Sequence, residues 1–446
     1  MNVLKISWKN IAYRPLSSGL SLLLLASGIT IILITLLTYN QINDKFKSNS
    51  GGVDLVIAAE GSRLQSVLCN LYQVDKPTGN INYARTGFAR MHPMVEKAIP
   101  ISIGDNYKSY RILATTHDYL TLYEGEIGEG KLWDTPLEAT IGSEIALKFG
   151  LEIGDNFAGG HGLGESIEEH KDQQYTVVGI LKKSNTVLDN LLLTSLESVW
   201  IIHAGHGHDS GGSFDIISKE EHDANQIKEK EKHEGHGHEH HHHGHDHSEA
   251  GSQSYEEILK GIDFKTREIT AMLIQYKTTR ARFTLPGIAN NTDGMMAAEP
   301  AIEIMQLFEL IEPAISIISL MAMIIVVIAS VSMFIAMLNS LKDRQYEIAI
   351  MRTMGASTIK VFTMILLEGF LLAILGYLLG IGVSHVGMEL FSGYLAETYH
   401  YDFTGWIWLE EEWFILVGAI VIGIVSALYP AVKAYRTDIS KILSNK

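Results

Sequence analysis

Residues 313–341 read PAISIISLMAMIIVVIASVSMFIAMLNSL, a run without one charged side chain. A helix rises about 1.5 Å per residue and bilayer hydrocarbon is about 30 Å thick, so roughly 20 such residues cross it. Three more runs meet that length: residues 19–39, 369–388 and 413–432. The first follows Lys5, Lys9 and Arg14 as a secretory signal would, but residues 15–43 carry no charge, and an apolar signal core is only about 7–15 residues long. The expected fold is therefore a membrane α-helical one with four transmembrane helices. A large mixed α/β extracytoplasmic domain is inserted between helices one and two.

Orientation follows from Lys and Arg, which are retained on the cytoplasmic side. Lys5, Lys9 and Arg14 precede the first run; Lys342, Arg344, Arg352 and Lys360 join the second and third; Lys433, Arg436 and Lys441 follow the fourth. The stretch between the third and fourth carries Glu389, Glu397, Asp402, Glu410, Glu411 and Glu412 and no cation, so it faces out, as does everything between runs one and two. Trp406, Trp408 and Trp413 stand where an interfacial belt is expected. Glu368 lies near the start of the third run, where a carboxylate facing lipid is costly. It serves either a proton or ion pathway or a partly wet position against other helices. The second is favoured, because no other acidic residue lies within the runs to relay a proton.

The net charge of −16 across 446 residues excludes a nucleic-acid binder, which needs a concentrated field of Lys and Arg. The single cysteine, Cys69, leaves any outer domain to be held by packing alone. Three domains are expected: residues 1–42 as cytoplasmic N-terminus and first span, 43–308 outside, and 309–446 with three spans and a cytoplasmic helix over 342–358. In the outer block, residues 53–57 and 175–181 and the stretch ITAMLIQYK at 269–277 read as strands, and residues 143–149 as a helix closed by Gly150. Residues 125–132, GEIGEGKL, have the glycine and lysine spacing of a phosphate loop. Leu132 stands where a hydroxyl must ligate Mg²⁺, and Trp-Asp-Thr-Pro follows where a helix must begin, so nucleotide binding is not expected there. No G-x-S-x-G elbow or H-E-x-x-H pair is present, and any ATP hydrolysis belongs to another chain.

Thirteen of the nineteen histidines fall between His203 and His247, a bias that core packing cannot explain. His206, His208, His236, His238, His240, His241, His242, His243, His245 and His247, with Asp and Glu among them, offer many overlapping imidazole ligand sets for Zn²⁺ or a similar divalent ion. The low-complexity stretch 203–252 lacks the fixed spacing of a structural zinc site. Loose metal binding, an inert solvated loop and a pH sensor are the three readings open to it.

Asp343-Arg-Gln-Tyr-Glu-Ile-Ala-Ile-Met-Arg-Thr-Met-Gly-Ala-Ser357 resembles the cytoplasmic signature of FtsX-type permeases, E-I-A-x-x-R-x-x-G-A. Residues 365–372, ILLEGFLL, are similar to the start of that family's third span, residues 426–436, SALYPAVKAYR, to its closing segment, and residues 8–15, WKNIAYRP, to its entry. Residues 140–155 and 175–181 resemble the MacB-type periplasmic domain. The resemblance implies a type VII ABC transporter permease in a bacterial inner membrane, paired as a homodimer or pseudo-symmetric dimer, with a separate ABC ATPase subunit and no cofactor of its own. It assigns ATPase coupling to Glu347, Ile348, Met351, Arg352, Gly355 and Ala356, with Ile348, Met351 and Met354 as the apolar face offered to the partner. Membrane lipid and a periplasmic binding or adaptor protein are the other expected partners. For function, the histidines favour divalent-metal handling. Export of peptides, drugs or lipoproteins and a non-transporting scaffold for an envelope enzyme are the alternatives.

Overall fold

The computed structural model describes residues 3–13, 15–161, 168–204, 266–399 and 403–436. In chain order the elements are α1 (Val3–Tyr13), α2 (Pro15–Asn49), β1 (Leu55–Ala59), α3 (Arg63–Tyr72), β2 (Ile81–Asn82), α4 (Gly87–Arg90), β3 (Val95–Tyr107), β4 (Tyr110–Thr115) and α5 (Asp118–Leu122). Then come β5 (Ile127–Gly130), β6 (Glu138–Ile141), α6 (Ser143–Phe149), β7 (Asn156–His161), β8 (Glu168–Leu181), β9 (Leu191–Thr194) and α7 (Leu196–Ala204). After residue 265 follow β10 (Glu268–Ile269), β11 (Ala271–Tyr276), α8 (Ala281–Asn290), β12 (Met295–Ala298), α9 (Pro300–Asp343), α10 (Gln345–Thr353), α11 (Thr358–Tyr399) and α12 (Glu411–Tyr435). They divide into two compact units, one of residues 1–46 with 306–446 and one of residues 47–305.

The second unit is built on a ten-stranded mixed sheet in the order β12-β1-β11-β3-β4-β9-β6-β8-β5, with β7 bridging β3 and β8. Strands β1 (LVIAA), β4 (YRILAT), β9 (LLLT) and β12 (MMAA) are buried along their whole length, which suits strands covered on both faces. Two apolar clusters fill the unit, one around Leu55, Ile57, Trp200, Met272 and Leu285, the other around Ile112, Ile141, Phe157, Tyr175 and Leu192. Helix α6 ends at Gly150, whose φ of +64° is open to glycine at little cost. The ITAMLIQYK stretch is not one strand but two, β10 and β11. Between them Thr270 turns its backbone N–H to Ile101 and its hydroxyl oxygen to the Ile103 N–H, 2.9 Å each.

Two other features read from the sequence take definite form in this unit. Residues 127–130 form an exposed edge strand paired with β8, and Lys131 Nζ lies 3.1 Å from Asp134 and 3.2 Å from Glu138, so its charge is already matched. Cys69 is fully buried, and burial pushes its thiol up in spite of the Arg111 guanidinium 3.3 Å away, which leaves it a weak nucleophile.

The helical unit holds the apolar runs. Among the described residues four helices are long and apolar enough to cross a membrane: α2, α9, the Thr358–Gly393 part of α11, and α12. Helices α2 and α9, of 35 and 44 residues, are about 50 and 65 Å long, well beyond one bilayer core. Near residue 308 they lie side by side, the Phe308 ring meeting Tyr39 and Phe46 edge-on at 6.0 and 5.7 Å. Elsewhere small residues and hydroxyls set the contacts: Ser21 to Ser332 at 3.1 Å, Thr30 to the Gly380 carbonyl at 3.1 Å, and Ser330 to Ser426 at 2.9 Å. Helix α11 continues past residue 388, so Glu389 is helical rather than part of a loop. Its carboxylate accepts from Gly405 N–H and Thr404 Oγ1, while Gln41 of α2 exchanges two hydrogen bonds of 2.9 Å with Thr404.

Candidate functional site

Helix α10 stands between the two longest helices, α9 and α11, and the local sequence explains its short length. Arg344 leaves the helical region (φ −106°, ψ 9°) and breaks the chain from α9. At the other end Gly355 takes φ +98°. Its N–H bonds to Arg352 O at 3.1 Å and the Ala356 N–H to Met351 O at 3.0 Å, the paired closure of a Schellman motif. Two residues later the Ser357 hydroxyl accepts the Lys360 N–H at 3.4 Å and caps α11. The Gly-Ala-Ser triplet thus stops one helix and starts the next.

Which face of α10 is covered differs from the sequence expectation. Ile348 is 3% exposed, packed inside the chain among Leu341, Val361, Ile365, Ala431 and Ala434, with Met351 half-buried against the same cluster. Ile348 therefore anchors the helix to its own bundle and is not offered to a partner. The outward stripe is Tyr346, Ile350 and Met354, 44, 38 and 82% exposed, spaced i, i+4, i+8. Glu347 is exposed beside it, 3.6 Å from Arg344, and Arg352 and Ala356 are half-buried. The four-residue spacing of Tyr346, Ile350 and Met354 is legible in the sequence. That the alternate face is occupied follows only from the packing of residues distant in the chain.

Glu368 is 7% exposed. Its carboxylate accepts a hydrogen bond from Asn10 Nδ2 and lies 3.3 Å from Arg344 Nη1. It faces other helices, about three turns into α11. A second buried carboxylate stands in the long apolar helices, just outside the charge-free run: Glu412, in the first turn of α12, lies 3.3 Å from His385 Nε2 and accepts the Leu409 N–H at 3.0 Å. The ring contact at 3.3 Å is within ion-pair reach but is not aligned as a hydrogen bond.

All ten histidines singled out as metal ligands, from His206 to His247, lie outside the described residues. His203, the last histidine before them, is partly exposed in α7, with Nε2 3.9 Å from Asp105 Oδ1. Among the described residues no three His, Cys, Asp or Glu side chains converge on one metal position.

Comparison with known proteins places two family models on the chain, the FtsX-like permease C-terminal domain over residues 319–439 and the MacB-like periplasmic core domain over residues 18–230. A stretch of 106 residues is 31% identical to an uncharacterized ABC transporter permease of Bacillus subtilis, YknZ, and covers 23% of this chain and 24% of that one. The chain thus matches about a quarter of the length of this relative. Among solved structures, the periplasmic region of MacB from Actinobacillus actinomycetemcomitans overlaps 59% of this chain and 98% of its own, with 10% identity and a TM-score of 0.32. The extracellular domain of the YknZ transporter overlaps 55% and 99%, with 9% identity and a TM-score of 0.26. Neither structural overlap is close enough for a residue-by-residue comparison.

Proposed function

The chain belongs to the MacB/FtsX-type ABC transporter permeases, and on that premise we propose that it couples a separate ATPase to an extracytoplasmic domain by mechanical transmission. In this reading α2, α9, α11 and α12 span a bacterial inner membrane, with α10 and both chain ends on the cytoplasmic side. The α/β unit lies outside, and two permease copies act together. The observation that carries it is the construction of α10. One face, through Ile348, is locked into the bundle, while the other leaves Tyr346, Ile350 and Met354 in the open. A helix so held can receive a push through its exposed stripe and pass it to α9 and α11 without absorbing it. Apolar anchors on a short helix are the usual means by which a helix seats in a partner's groove.

The test is reconstitution of the chain in nanodiscs with a separate ABC-type ATPase subunit from the same organism. ATP hydrolysis is expected to rise several-fold over the free ATPase. Stable association without any change in turnover would point to a scaffold, and no association would overturn the reading.

The histidine content of residues 203–247 favours a role in handling zinc or a similar divalent ion, directly or through an outer partner. Titration of the full-length chain with ZnCl₂ is expected to show several weak sites that disappear when residues 206–247 are deleted. Equal heats from the two proteins would remove metal from the proposal and favour export of peptides, drugs or lipoproteins.

A further inference from the structure

Polar side chains from two helices and the α9–α10 break meet at Glu368, where apolar packing would otherwise be expected. Arg344 comes from the break between α9 and α10, Asn10 from α1, and Glu368 from within α11. Both members of the ion pair are largely buried, with side-chain exposures of 14% for Arg344 and 9% for Glu368. A carboxylate at such a position is costly unless donors satisfy it, and here one charged and one neutral donor converge on the same oxygen, Oε1.

The surroundings show what the cluster fastens. One turn from Asn10, the fully buried Ser7 donates its hydroxyl to Met364 O at 3.1 Å, so α1 is bound to α11 at two successive levels. Beside the cluster lies a small void, lined by Met337, Leu341, Ile348 and Met364 together with Arg344 and Glu368 themselves. Glu368 is also followed directly by Gly369, where an added β-carbon would stand 2.5 Å from Gly423 O of α12. Arg344 sits at the one non-helical residue between α9 and α10, so any rotation of α10 about that break moves the guanidinium against Glu368 and, through it, against Asn10.

We propose that Glu368 is the pivot of a three-helix joint that makes α10 and the N-terminal helix α1 move as one body. This inference rests on the coupling role assigned to α10 above, and it makes α1 a transmitting element rather than a passive leader to α2. Glu368, Arg344 and Asn10 are positioning residues here, since none of them reaches the exposed stripe of α10.

The test uses the full-length chain in nanodiscs, with Cys69→Ser and spin labels on cysteines introduced at the exposed Lys9 of α1 and Thr353 of α10. The pulsed-EPR distance distribution is expected to be narrow in the parent and at least twofold wider in Glu368→Gln and in Arg344→Gln. It should return to the parent width in the reversed pair Arg344→Glu with Glu368→Arg, because the salt link is restored and the Asn10 amide turns to present its oxygen. Asn10→Ala, the mildest change, is expected to widen the α1–α10 distribution while leaving unchanged a second distribution measured from Thr353 to a label at the exposed Lys360 of α11. An unchanged width in Glu368→Gln, or a reversed pair as wide as either single variant, would overturn the joint. No ATPase enters this measurement. A Glu368-sensitive distance in a chain that binds no ATPase would sink the docking reading and leave the joint standing.

Discussion

Glutamate at both Ile350 and Met354 is expected to abolish stimulation of the partner ATPase while leaving the permease folded. The two side chains stand one turn apart on the outward stripe of α10. Apolar anchors of this kind commonly cost about 2 kcal/mol or more each when lost from an interface, so the pair should weaken association by roughly a thousandfold. Because both are already exposed, the change in fold stability should stay within about 0.5 kcal/mol. Ile348→Glu gives the opposite pattern. It forces a charge into the cluster of Leu341, Val361, Ile365, Ala431 and Ala434 and should lower the unfolding midpoint before any question of docking arises. Lysine at positions 350 and 354 separates protein docking from rest on the membrane surface. On anionic vesicles it would strengthen a lipid contact, whereas a protein groove would be lost with lysine as with glutamate. Undiminished ATPase stimulation by the double glutamate variant would remove the stripe from the mechanism.

The parts of this molecule that were legible in its sequence are those decided by one-dimensional chemistry. Charge-free runs mark the long helices because a bilayer-length stretch tolerates no unpaired charge, and Gly150 and Gly355 mark helix ends because few other residues take positive φ cheaply. What stayed hidden depends on pairing at a distance. Ile348 and Ile350 are the same residue type two positions apart, and only the packing of α12 and α11 against one of them tells an anchor from an exposed contact. Glu368 looked like an isolated carboxylate, since its partners stand 358 and 24 residues away in the chain. The split at Thr270 is invisible for a similar reason: the Ile101 and Ile103 backbone groups that Thr270 engages come from a strand 167 or more residues earlier in the chain.

The contact between α11 and α12 carries the second large expectation, that Gly423→Leu destabilises the bundle by about 3 kcal/mol or more. A β-carbon built on Gly423 would stand 2.6 Å from the Ala373 β-carbon and 2.6 Å from Gly369 O, and one built on Gly369 would stand 2.5 Å from Gly423 O. Two of these neighbours are backbone oxygens and the third is a β-carbon fixed to its own backbone, and none can rotate aside, so the helices must part. Inserting even a few methylenes into a close-packed contact costs about 1–3 kcal/mol, and a full isobutyl group between two backbones belongs at or above the top of that range. Parting the helices would also stretch the Ser330–Ser426 hydrogen bond, which holds α9 to the same face of α12. Gly418→Leu and Gly382→Leu, on the same two helices, serve as controls, since a β-carbon at either position meets nothing within 4 Å. Thermal unfolding in detergent should separate Gly423→Leu clearly from both. If the three variants unfold together, the close approach of Gly369 and Gly423 is not what holds these helices at their spacing, and the stiffness that transmission through α11 requires must come from elsewhere in the bundle.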